Sequence, residues 1–140
     1  MSSDPSLDLQ RAITAAFKAA DPPIAGGRIY DRVQSGPGGQ KVTFPYVSHG
    51  PSLVISDDAD CIISYEVFMT LDVWSRGDPV GQKEAKAIAG DVKLLLHDSD
   101  LPLANHAVVT LAHDATRYLI DPDGITSHGA VEFRALVQRI

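Results

Sequence analysis

The chain has 140 residues, 44% of them hydrophobic, and 18 acidic against 12 basic residues give it a formal net charge of −6. That length and composition predict one domain, residues 1–140, which removes roughly two-thirds of its unfolded surface from water without staples, and a single cysteine, Cys61, rules out an internal disulfide framework and cannot hold a zinc ion alone. With no cluster of Lys and Arg, this acidic chain is not built to grip DNA or RNA phosphates, although DNA could pass such a surface.

The amino terminus, Met1-Ser2-Ser3-Asp4-Pro5-Ser6, lacks the basic and apolar regions of a secretory signal. No continuous apolar run approaches the about 20 residues of a membrane-spanning helix, so a soluble protein made in a reducing cytosol is expected, with no membrane partner. Asp4-Pro5 predicts a helix start, with Asp as cap and Pro at the first helical position, where its missing N–H costs nothing. Leu9, Ile13, Ala16, Phe17 and Ala20 then recur on one helical face until Asp21-Pro22-Pro23 ends the helix.

Beyond Gly26-Gly27, Arg28 to Val33 reads as a short strand, and residues 34 to 41, with three glycines and Pro37, read as an exposed loop. Phe44 to His49 predicts a second strand, with Pro45 at its start or on an edge. From Cys61 to Val73 the odd positions are apolar throughout, which predicts a long antiparallel strand with Cys61 packed in the core. Its even face carries Ile62, Phe68 and Trp74, more apolar surface than a merely solvated face needs.

Asp78-Pro79 repeats the helix-start pattern, and Ala85, Ile88, Ala89, Val92, Leu95 and Leu96 line one face of the helix that follows. Strands are expected over His106–Ala112 and Thr116–Ile120, then a turn at Asp121-Pro122-Asp123-Gly124, then a strand carrying Val131, Phe133, Ala135 and Val137. The order αβββαβββ defines an α+β fold: a mainly antiparallel β-sheet with two amphipathic helices packed on one face.

No cofactor or metal set emerges. Gly38-Gly39-Gln40 matches the tripeptide of peptide release factors, but only Lys41 supplies basic surroundings, and a Gly-rich loop is the simpler reading. Asp121-x-Asp123-Gly124 begins like a calcium loop, yet Glu132 stands at the wrong distance to close it. The acidic loop at Asp57, Asp58 and Asp60 reads as solvated, and the five histidines form no His-x-x-x-His pair. His113-Asp114 could orient an imidazole as a base, but no nucleophile motif accompanies it.

Four blocks remain: Gly26-Gly27-Arg28-Ile29-Tyr30-Asp31-Arg32-Val33, Phe44-Pro45-Tyr46-Val47, Leu71-Asp72-Val73-Trp74-Ser75-Arg76, and the stretch from Arg117-Tyr118 through Asp121-Pro122-Asp123-Gly124 to Ser127-His128-Gly129-Ala130-Val131-Glu132-Phe133-Arg134. Together and in this order they resemble the small tail-completion proteins, or tail terminators, of siphophage-like particles. The resemblance implies a homohexameric ring that caps the last ring of the tail tube protein, stops tube growth and presents a surface to the head's connector or stopper, while DNA passes through the lumen without specific binding. It also implies synthesis in a bacterial cytoplasm and a place in the tail of a phage or of a phage-derived gene-transfer particle.

A ring needs heterologous contacts, each joining one patch to a different patch on the next copy. The candidates are the loop at Gly36, Gly38, Gly39 and Gln40, the even strand face at Phe68 and Trp74, and the turn at Asp121 and Asp123. Two other readings stand beside this one. The first is a head-side connector or stopper. The second is a small cytosolic enzyme or ligand-binding domain using His113, Asp114 and His128, a residue that otherwise would hold a turn or a subunit contact.

Overall fold

The computed structural model describes residues 4–33, 41–77 and 79–140. Helix α1 (Pro5–Ala19) starts where its cap dictates: the Asp4 carboxylate accepts hydrogen bonds from the amides of Ser6 at 2.8 Å and Leu7 at 3.4 Å. Its apolar stripe, Leu9, Ile13 and Phe17, is fully buried, each side chain contributing about 1.5–3 kcal/mol by leaving water. A short 3₁₀ turn at Ile24–Gly27 then leads to β1 (Ile29–Tyr30).

Four longer strands follow: β2 (Tyr46–Ser56), β3 (Ser64–Ser75), β4 (His106–Ile120) and β5 (Ser127–Arg139), with helix α2 (Lys83–Leu96) between β3 and β4. The sheet order is β1-β2-β3-β5-β4; β1 and β2 are parallel and every other pair is antiparallel. Val67, Leu71 and Val73 of β3 and Val131, Phe133, Ala135 and Val137 of β5 share one core with α1 and with Ala85, Ala89, Val92 and Leu96 of α2. The α+β architecture with both helices on one sheet face is therefore as expected, and no described helix covers the other, the bare face.

Several expected boundaries are corrected. The two strands expected over His106–Ala112 and Thr116–Ile120 are one strand, so the sheet has five strands among the described residues, not six. Register shifts between Val108 and Thr110 and between His113 and Ala115 absorb the polar break without ending the ladder. β2 runs on through Gly50-Pro51 by a shift between His49 and Ser52, while β1 shrinks to two residues. Helix α2 begins at Lys83 rather than at Asp78-Pro79, with Asp78 outside the described residues. Cys61 is exposed, because β3 starts only at Ser64 and residues 57–62 form the tip of the β2–β3 hairpin.

Every residue from Pro51 to Ile63 is exposed, including Leu53, Val54, Ile55, Ile62 and Ile63.

Candidate functional site

The bare sheet face is richest at the end nearest the turn between β4 and β5. Even positions of β3 point there, so Asp72 and Trp74 stand beside the even positions of β5. Trp74 pairs across the ladder with His128, and their rings stack with centroids 4.0 Å apart and planes 8° from parallel. Asp72, the diagonal neighbour, meets His128 Nε2 at 2.6 Å. The indole N–H donates to Ser48 Oγ at 3.0 Å. Tyr46 stacks at 6.3 Å on Trp74, Phe44 lies tilted 5.2 Å from Tyr46, and the Arg76 guanidinium sits 4.2 Å above the Phe44 ring.

Arg76 joins this aromatic row to the turn. Its Nε donates to Thr126 Oγ1 at 2.9 Å and its Nη2 lies 3.4 Å from Asp123 Oδ2. Asp123 closes the turn by accepting from the Thr126 hydroxyl at 2.6 Å and from the amides of Thr126 at 2.8 Å and Ile125 at 2.9 Å. Those hydrogen bonds, led by the Thr126 hydroxyl, lower its pKa to about 2. Gly124 supplies the left-handed residue of the turn at φ 76. Phe44, Tyr46, Trp74, Arg76, Asp123 and Thr126 rim a hollow of about 560 Å³.

Three of the predicted contact residues, Trp74, Asp121 and Asp123, line this one hollow. Gly36, Gly38, Gly39 and Gln40 lie outside the described residues, but Val33 and Lys41, on either side of that loop, line the same hollow. Phe68 is elsewhere, in a shallower hollow of about 300 Å³ with Leu53, Asp114 and Glu132. The Asp72–His128 bond and the position of Tyr46 escaped the sequence reading. Asp72 and Trp74 share strand parity, but only the β3–β5 register brings His128 to them.

The set His113, Asp114 and His128 does not assemble. His113 pairs with Phe133 on the helix-covered face and packs edge-on against its ring at 5.6 Å, whereas His128 stands on the bare face. His113 Nε2 bonds Thr116 Oγ1 at 2.7 Å, and Asp114 lies 3.9 Å from Arg134. Burial, then the charges of Lys93 and His97, hold the His113 pKa below its ordinary value. No group of three metal-ligating side chains occurs among the described residues. No described helix is long and apolar enough to cross a membrane.

The fold is of an α+β class also seen in a chain of a solved particle described as "Virion of native gene transfer agent (GTA) particle", with TM-score 0.83, 24% identity, and coverage of 98% of this chain and 99% of that one. No curated protein matches the sequence. The chain belongs to the family described as "Tail completion protein gp17", whose sequence profile matches residues 11–138.

Proposed function

We propose that this protein is a tail terminator, a structural virion protein that closes the head-proximal end of the tail tube as a homohexameric ring, stops tube growth and joins tail to head. The family match over residues 11–138 carries the reading. The fold shared with a chain of a gene transfer agent virion supports it, as does the aromatic and charged hollow on a sheet face that the chain's own helices leave bare. The partners are further copies of the chain, the tail tube protein and the head's connector or stopper, in a phage or a gene-transfer particle. The net charge of −6 suits a lumen through which DNA slides without being held.

The proposed role is structural, and the standing of His113 and His128 on opposite faces of the sheet favours it over a site built from those two histidines. On this reading Trp74, Asp121 and Asp123 belong to one contact surface and Phe68 to a second, while the contacts proposed at Gly36, Gly38, Gly39 and Gln40 lie outside the described residues. Deleting the gene in a particle-producing strain and measuring tails by negative-stain electron microscopy tests the reading. Unjoined tails of abnormal, scattered length are expected. Normal-length tails that fail to join would move the role to a connector, and intact infectious particles would overturn both.

A further inference from the structure

The two edges of the sheet invite each other. On one side, β1 covers only Val47 and Ser48 of β2, so among the described residues the outer edge of β2 from His49 to Ser56 has no strand partner. Its last stretch, Ser52–Ser56, holds no charge and no proline, and Leu53 is 57% exposed. An uncharged apolar edge of this kind is a template for another strand, and proteins normally cover it or interrupt it with charge. On the other side, β4 is the edge along its whole length, with Val109 exposed.

Direction and height both fit. β2 runs antiparallel to β3, β3 to β5 and β5 to β4, so the two edge strands run in opposite senses. A second copy set beside the first in the same orientation therefore brings its β2 antiparallel to the first copy's β4, the pairing used in the rest of this sheet. Following the register from Leu53 to Phe68, Arg134 and Ala112 puts the middle of the bare β2 edge level with the middle of β4. The register shifts on either side of Thr110–His113 add twist and bend to that strand, the curvature a sheet needs to follow a ring.

From this juxtaposition we infer that Ser52–Ser56 of one copy pairs antiparallel with β4 of a second copy of this chain around Val109–His113, so that one sheet runs from subunit to subunit. The contact joins unlike edges and is heterologous, the type that closes into a ring. It rests on the ring reading above and supplies that ring with its joint. Two β2 edges meeting each other would instead give a closed pair and leave β4 bare.

The test uses particles carrying the chain with Cys61→Ser, to remove the exposed native thiol, and with Leu53→Cys and Thr110→Cys, both on the bare sheet face. A short bis-maleimide should give a ladder of covalent multimers, and neither single-cysteine chain should give one. A missing ladder in particles with normal tails overturns the pairing and leaves the terminator reading intact. Dimers from Leu53→Cys alone overturn it in favour of paired β2 edges. Independently, Leu53→Lys with Ile55→Lys should abolish incorporation into particles while thermal unfolding of the purified chain is unchanged; undiminished incorporation overturns the inference.

Discussion

Asp8 is a carboxylate almost sealed from water, 2% exposed, on a helix whose neighbours in the core are Leu9 and Phe17. It is tolerated because the start of β4 surrounds it with donors. The amides of Asn105 and Ala104 reach it at 2.8 and 3.3 Å, and His106 Nδ1 at 2.9 Å. Burial alone would raise its pKa, but the hydrogen bonds from His106 and the two amides outweigh that and hold it below the ordinary 3.8. Asp8→Ala should cost about 3 kcal/mol in urea unfolding, because His106 and two amides lose their acceptor in a dry site. Asp8→Asn should cost less, since its amide oxygen still accepts. The Asp8 contribution is complete above pH 3.8 and is lost as pH falls through its lowered folded pKa, so the acid limb of the stability profile should flatten in Asp8→Asn. A second loss begins earlier. Burial lowers the His49 pKa against a weaker upward pull from Asp31, so from pH 6.5 downward the unfolded chain takes a proton that the folded one refuses. The urea midpoint should start to fall below about pH 6.5, and His49→Gln should make that fall shallower, leaving the share of His113, whose pKa is lowered in the same way.

At the scale of elements, the sequence was readable where one local signal decided the outcome. The Asp4-Pro5 cap, the two helical stripes and the alternation in β5 all depend on near neighbours. It misled where a long-range ladder overrode a local break: His113-Asp114-Ala115 looked like a gap between strands, yet pairing with β5 carries β4 through it. Cys61 kept the parity of a core strand but fell beyond the strand's start. In the hollow, Trp74 and the Asp121-to-Gly124 turn were legible from residue type, while the His128–Asp72 bond beside it depended on a register between residues 56 positions apart. The register of β2 on β3, shifted between His49 and Ser52, explains Gly50. A Cβ there would lie 2.5 Å from Asp72 Oδ2, a carboxylate already fixed by His128. Gly50→Ala should therefore push Asp72 aside and loosen the stack on Trp74, the only tryptophan in the chain. A change in tryptophan emission and near-ultraviolet circular dichroism, with far-ultraviolet signal retained, would report it; unaltered spectra would count against the close approach.

For the whole molecule, charge sets the terms of association. Each copy would bring a formal −6 to the proposed ring, so like-charge repulsion opposes closure and is weakened as salt shortens the screening length from about 30 Å at 0.01 M to about 3 Å at 1 M. Sedimentation of the purified chain should show larger assemblies as sodium chloride rises. Assembly that weakens with salt would mean that attractive ion pairs, and not apolar strand edges, dominate the joint.

The bond between Asp8 and His106 also sets an order of events during synthesis. The two residues are 98 positions apart, so the first helix emerges from the ribosome long before the segment that supplies hydrogen-bond donors to its buried carboxylate exists. Until residues 104–106 are made, docking α1 would bury that charge without donors. The amino-terminal helix should therefore wait undocked while three-quarters of the chain is translated. Nascent chains halted before Ala104 should stay open to protease within α1, and chains halted after β5 should resist it.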